Sequence, residues 1–224
     1  MIITIDGLTG TGKSTIAKLL AEYFNISYIN TGLFYRIIGY LLINILKYED
    51  SNYDENIAKD LCNVLNKNDI VIDLTSGSIS YKGNHLNNVL YDENITKLST
   101  LFSQDQSLRM VINNLIIESI EDLDVILEGR DCAINITPNA DYKILLVSNE
   151  NQRFERVIQS RKNYNYESLY FIDEINKKVT PSLDDVDVYD YIYDTSDKGI
   201  DKSFDDIKNA IHEFFKMKGV NLCQ

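Results

Sequence analysis

An α/β fold, a parallel sheet covered by helices on both faces, follows from three observations on the amino-acid sequence. Short, mostly apolar runs recur at 2–5, 125–127 and 143–147, and runs of this length bounded by turn residues read as strands buried on both sides. Between and after them lie segments with apolar residues at three- and four-residue spacing, the mark of amphipathic helices. The chain of 224 residues is 44% hydrophobic and 10% aromatic, enough for one domain with a sizeable core and incompatible with a disordered chain.

Taken in order, the strand at 2–5 ends in Asp6 and a glycine-rich turn, and a helix follows over about 13–24 with Ile16, Leu19, Leu20, Tyr23 and Phe24 on one face. A short strand at 27–29 leads through Asn30-Thr31-Gly32 to a helix over 33–46. A polar stretch then precedes two alternating runs, 70–74 and 78–81, about Thr75-Ser76-Gly77, the pattern of a hairpin. Helical periodicity runs over 95–120, and the strand at 125–127 ends at Glu128-Gly129-Arg130-Asp131. After Pro138 comes the strand at 143–147, then helices from about Gln152 and after Tyr166. A last strand at 191–193 and an amphipathic helix over 204–217 close the chain. The hairpin and its helices read as an insertion.

Charge and composition narrow the function. A net charge of −12 argues against a general nucleic-acid binder, which needs clustered Lys and Arg to neutralise phosphates. Cys62, Cys132 and Cys223 are too far apart for a metal-ligand pair and odd in number, and His85 and His212 stand alone, so neither a disulfide framework nor a zinc site is expected. No apolar run approaches a membrane span, and Met1-Ile2-Ile3-Thr4-Ile5 has no basic leader, so the expectation is a cytoplasmic protein. Only six residues are arginine: Arg36, Arg109, Arg130, Arg153, Arg156 and Arg161.

The most specific feature is Gly7-Leu8-Thr9-Gly10-Thr11-Gly12-Lys13-Ser14, followed by Thr15, which satisfies G-x-x-x-x-G-K-[ST] between a buried strand and a helix. The glycines let successive N–H groups curl toward one anion and the helix N-terminus adds its dipole. Lys13 is placed to reach the β- and γ-phosphates of ATP, and the Ser14 hydroxyl to bind Mg²⁺. GTPases, ATPases and small-molecule kinases all use such a loop. The chain is short for a motor or transporter and carries no Asn-Lys-x-Asp segment, which leaves the compact kinases in front.

Thr31-Gly32-Leu33-Phe34-Tyr35-Arg36, Lys82-Gly83-Asn84, Glu128-Gly129-Arg130-Asp131, 138–146 and Asp194-Thr195-Ser196 follow the loop in an order and spacing that resemble the cytidylate (CMP/dCMP) kinase family of P-loop nucleoside monophosphate kinases. The resemblance implies a P-loop NTPase three-layer fold with a parallel sheet, an inserted NMP-binding subdomain with a small antiparallel β element, and a short helical lid. It implies one kinase domain over 1–224, with a core of 1–36 and 121–224, a lid at about 149–181 and the insert at about 37–120. The implied reaction moves the γ-phosphoryl of ATP to CMP or dCMP, in a monomer without nucleic-acid or membrane partners.

The resemblance also assigns residues. Arg36 and Arg130 grip the monophosphate, for which guanidinium forks suit phosphate oxygens, and Thr31 and Tyr35 line the same pocket. Asp131 accepts from the cytosine amine that uracil lacks, while Ser99 and Arg109 donate to the ring's acceptors. Lys13, Arg130, Arg153 and Arg156 are the catalytic cations around the transferring group. One stretch departs from the family pattern: 172–181 contains no arginine where members carry several, and Lys177 and Lys178 cannot form a bidentate fork. A P-loop kinase of another nucleotide or small metabolite, and a catalytically weak nucleotide-binding module, are the alternatives.

Overall fold

The computed structural model describes residues 1–48, 57–64, 69–73, 78–86, 89–161, 164–179, 183–220 and 222. In chain order the elements are β1 (Ile2–Asp6), α1 (Lys13–Phe24), β2 (Ser27–Asn30), α2 (Thr31–Asn44), α3 (Ile57–Val64), β3 (Ile70–Ile72), β4 (Ile79–Tyr81) and β5 (Asn84–His85). They continue with α4 (Glu93–Phe102), α5 (Gln106–Ser119), β6 (Val125–Gly129), β7 (Tyr142–Val147), α6 (Glu150–Ser160), α7 (Tyr166–Val179), β8 (Tyr191–Asp194) and α8 (Ile200–Met217). The chain divides into two compact units, Met1–Ile29 with Asp122–Gln224, and Asn30–Glu121.

The first unit is built on a five-stranded sheet of order β2-β6-β1-β7-β8. β1 lies at its centre, parallel to β6 on one side and to β7 on the other, and β7 is parallel to β8. That position explains the unbroken apolar sequence of β1: Ile3 and Ile5 are fully buried, and so is Thr4 between them. Because side chains alternate across a strand, Ile144 and Leu146 of β7 pack with α1 and α8, while Leu145 meets Ala133 and Tyr189 on the opposite face. α1 contributes Ile16, Ala17, Leu20, Ala21 and Phe24 to the first of these cores, and α8 contributes Ile207, Ile211 and Phe215. α1 stops at Asn25, whose φ of 51° lets its N–H turn back to Ala21 O and Glu22 O. A smaller core of Phe154, Val157 and Leu169 joins α6 to α7.

In the second unit, β3, β4 and β5 form an antiparallel sheet. Lys82 and Gly83 join β4 to β5 with φ of 49° and 77°, the two left-handed residues of a tight hairpin turn. The expected turn at 75–77 lies outside the described residues. The periodic run 95–120 is two helices rather than one. Asp105 interrupts it and caps α5 by accepting from Leu108 N at 2.8 Å. α3 falls within the polar stretch that carried no helix expectation; Ile57 and Leu61, one turn apart, are its buried contacts. α2 packs closely on α4 at Gly39, where a Cβ would stand 3.3 Å from both Ile95 O and Ser99 Cβ. Among the described residues no helix is long and apolar enough to cross a membrane.

The packing of α1 yields a stability expectation. Leu20→Ala should cost about 2–5 kcal/mol, read as a lower urea midpoint with an unchanged slope. A loss below about 1 kcal/mol would contradict the assignment of Leu20 to the core beneath the sheet.

Candidate active site

The loop after β1 takes its shape from its glycines. A Cβ on Gly7 would lie 2.3 Å from Leu146 O, and one on Gly10 2.4 Å from Arg153 O, with φ of 149° and 80°. No other residue fits either position. The loop's carbonyls are engaged in succession by side chains. Arg130 Nη1 donates to Gly7 O at 3.0 Å, Lys13 Nζ to Leu8 O at 2.8 Å, and Arg153 Nη1 to Thr9 O at 2.9 Å. Arg156 Nη1 reaches Gly10 O at 3.5 Å, and the Thr195 hydroxyl donates to Thr11 O at 3.1 Å. A loop whose carbonyls are held this way offers its N–H groups to an anion, at the start of α1 where the helix dipole is positive.

The charges beneath the loop are balanced locally. Lys13 is 7% exposed, and burial, then repulsion from Arg130 and Arg153, outweighs Glu128 and Asp6 to bring its pKa down to about 7. Asp6 is fully buried at the end of β1, and burial raises its pKa to about 6. Its carboxylate accepts from Cys132 N and Ala133 N, both at 2.9 Å, and from Tyr189 OH at 3.2 Å. The same carboxylate therefore fastens the segment after Arg130 and Asp131 to the strand that carries the loop.

Ser14 Oγ donates to Glu128 Oε1 at 2.9 Å, and Tyr28 OH donates to Glu128 Oε2 at 2.6 Å. A serine hydroxyl beside a buried carboxylate is a fitting donor set for Mg²⁺, which takes one or two protein oxygens and completes its shell with water and phosphate. Among the described residues no group of three or more His, Cys, Asp and Glu offers a dedicated metal cage.

The structure thus brings Lys13, Arg130, Arg153 and Arg156 to the backbone of the loop formed by Gly7, Leu8, Thr9, Gly10, Thr11 and Gly12. Arg130 also bonds Thr9 Oγ1 at 2.7 Å. Thr15 is exposed on α1. Asp131, 3% exposed, accepts from Asn135 Nδ2 at 2.7 Å. In the second unit Thr31 is buried at the start of α2. Tyr35 OH donates to Asn113 Oδ1 at 3.4 Å, and the Arg109 guanidinium lies 5.8 Å from the Tyr35 ring centre. Arg36, on another face of α2, stacks over Tyr91 at 4.5 Å. Ser99 is buried in α4 and donates to Thr96 O at 3.0 Å. The sequence reading gave no role to Asp6, Glu128, Asp173 or Thr195, although Glu128 and Thr195 lie in segments that carry the resemblance. For Glu128 a signal existed, an acid at the carboxyl end of a buried parallel strand, where ligands bind in open α/β sheets.

A glycine-rich loop at the end of a central parallel strand, opening a helix at Lys-Ser, defines a P-loop nucleotide-binding protein of α/β architecture. Solved structures agree on the fold: the protein TT1252 of Thermus thermophilus superposes with a TM-score of 0.52 at 14% identity, covering 94% of this chain and 95% of that one. The shikimate kinase of Acinetobacter baumannii gives 0.50 at 11% identity, covering 98% and 95%. A family model for cytidylate kinase matches residues 3–212, and the chain belongs to that family. The cytidylate kinase of Mycoplasmopsis pulmonis is 34% identical over 179 residues, 79% of this chain and 76% of that protein. That of Clostridium tetani is 28% identical over 230 residues, 98% and 97% of the two. The bifunctional pantoate ligase/cytidylate kinase of Prochlorococcus marinus is 31% identical over 222 residues, which are 91% of this chain and 42% of that longer protein.

Because burial, then Arg130, brings the Lys13 pKa down to about 7 and only its protonated form attracts phosphate, ATP affinity should fall as pH rises above about 7. The expected loss is up to about tenfold per pH unit, measured by calorimetric titration with ATP between pH 6 and 9. A flat profile would contradict the electrostatic account of Lys13.

Proposed function

We propose that this chain transfers the γ-phosphoryl group of ATP to CMP or dCMP, giving ADP and CDP or dCDP, as a cytoplasmic monomer. Support for the donor half comes from the phosphate loop, whose carbonyls are engaged by Arg130, Lys13, Arg153 and Arg156. Support for the acceptor half comes from relatives named cytidylate kinase that align along most of the chain. The observation that carries the reading is the phosphate loop itself, within a chain matched by that family over residues 3–212.

In this reading Gly7, Leu8, Thr9, Gly10, Thr11, Gly12, Lys13, Ser14 and Thr15 hold ATP, with Ser14 and Glu128 as the oxygens for Mg²⁺. That ion, when bound, neutralises charge on the donor phosphates. Thr31, Tyr35, Arg36, Ser99, Arg109, Arg130 and Asp131 bind the acceptor, residues 37–120 form the NMP-binding insert, and residues 149–181, including α6 and α7, form the lid. The acceptor phosphate oxygen is already anionic, so the chain's task is in-line positioning and charge stabilisation rather than general-base catalysis. Lys13, Arg130, Arg153 and Arg156 supply the positive charge, and lid closure keeps water from the donor phosphate. A buried carboxylate at Asp131 favours an acceptor base with an exocyclic amine. A carbonyl in its place leaves two acceptors facing each other.

ADP release coupled to a reporter, measured across CMP, dCMP, UMP, dTMP, AMP and GMP, tests the reading. CMP and dCMP should give the highest kcat/KM, and the proposal is lost if neither ranks among the best acceptors. Asp131→Asn should narrow the preference for CMP over UMP by about ten- to a hundredfold while ATP affinity stays within twofold. Unchanged selectivity would remove Asp131 from the base-reading role.

A further inference from the structure

The α6 and α7 helices are tied by a charged pair whose acidic member, Asp173, has no part in phosphoryl transfer as read above. Arg153 is 3% exposed and Asp173 is fully buried, and Arg153 Nη2 donates to Asp173 Oδ2 at 2.6 Å. The same guanidinium donates through Nη1 to Thr9 O at 2.9 Å and through Nε to Ser148 O at 3.3 Å. Arg153 also touches the phosphate loop through its main chain, since its carbonyl oxygen stands 2.4 Å from where a Cβ on Gly10 would be. One residue of α6 thus constrains the loop at Thr9 and at Gly10; its side chain is oriented chiefly by Asp173 of α7, the half-exposed Glu150 standing further from the same Nη2 at 3.9 Å.

We propose that Asp173 is a positioning residue for the phosphate loop, acting through Arg153, so that the seating of α7 sets the shape of the ATP-binding backbone. The physical chain has two links. A buried guanidinium adopts the orientation its anion dictates, because an unpaired charge at that depth is strongly disfavoured. That orientation aims Nη1 at Thr9 O and keeps this carbonyl turned away from the phosphates. Asp173 acts through a single oxygen, since Oδ1 has no hydrogen-bond partner among the described residues. An asparagine there can keep its own oxygen on Nη2 while removing the charge, which makes Asp173→Asn the informative variant. Lys177, one turn further along α7, does not touch Arg153; it is exposed and pairs with Glu174 at 3.0 Å and Glu150 at 3.6 Å.

The proposal rests on the donor-site reading above, and its test reads ATP alone, so the identity of the acceptor does not enter. Calorimetric titration of the full chain with ATP should show Asp173→Asn weakened about tenfold. In an Arg153→Met background, adding Asp173→Asn should change affinity less than twofold, because the route through Arg153 is already gone. In turnover assays the ATP KM should rise about tenfold while the acceptor KM stays within twofold. Failure of the wild type to bind ATP would overturn the donor site itself. Wild-type binding with Asp173→Asn within twofold of it would overturn only the role of Asp173, as would full additivity in the double variant. A variant that melts at a lower temperature yet binds ATP normally would make the residue merely structural, which also overturns the proposal. Should Asp173→Asn not fold, Asp173→Glu, which moves the anion by one methylene, must likewise weaken ATP, and wild-type affinity in it would sink the idea.

Discussion

Hydrogen bonds from cationic side chains to the carbonyls of Gly7, Leu8, Thr9 and Gly10 are the constraint around which the nucleotide-binding unit is arranged. A backbone that presents its N–H groups to an anion must dispose of its carbonyls, and here four of them in succession face Arg130, Lys13, Arg153 and Arg156. The arrangement buries and gathers like charges, and the pKa of Lys13 is depressed first by burial and then by the neighbouring Arg130. The compensating acids are buried among the cations rather than spread over the surface: Asp6, Glu128 and Asp173 are each 5% exposed or less. A chain of net charge −12 can therefore hold a polyphosphate, because local field rather than net charge decides where an anion goes.

The parts of this arrangement written in local sequence were readable in advance. Gly7, Gly10 and Gly12 are demanded by backbone geometry over eight residues, and the strands β1, β6 and β7 by apolar runs too short to be anything else. The break between α4 and α5 was equally local, since Asp105 is a helix cap by chemistry, but the apolar spacing continues across it and masks the signal. What could not be read was the partner of each arginine. Arg130, Arg153 and Arg156 meet the loop across 123, 144 and 146 residues of sequence, and no spacing rule reaches that far. The six arginines divide unexpectedly: these three serve the loop backbone, while Arg36, Arg109 and Arg161 lie over Tyr91, Tyr35 and Tyr164. Cation–π placement orders a guanidinium over an aromatic face, and Arg109 is further held by donating Nη1 to Ser103 O at 3.1 Å.

The arginine-poor stretch 172–181 takes on a different meaning once Asp173 is seen in place. Its residues 172–179 belong to a continuous helix, α7, whose buried face carries an acid, Asp173, rather than a base. Such a helix contributes to phosphate binding indirectly, by orienting an arginine that belongs to α6. A direct contact from α7 would add charge to an already crowded loop, whereas a buried acid neutralises Arg153 and holds it on Thr9 O. The two solutions differ in what they demand of the helix: a direct contact needs reach, and an indirect one needs a fixed seat, which the packing of Leu169 against Phe154 and Val157 provides.

The same economy of contacts governs Ser14. Its hydroxyl donates to Glu128, and a hydroxyl oxygen that has given its one proton retains lone pairs for a cation. Glu128 is itself oriented from the other side by Tyr28, whose phenol holds the second carboxylate oxygen. A carboxylate oriented by two hydroxyls beside those lone pairs would complete an oxygen donor set for a hard cation. The serine, the glutamate and the tyrosine come from α1, β6 and β2, three elements that meet only because β6 lies between β2 and β1 in the sheet. Strand order, which no motif encodes, therefore decides whether the hydroxyl of a Lys-Ser pair has a carboxylate beside it.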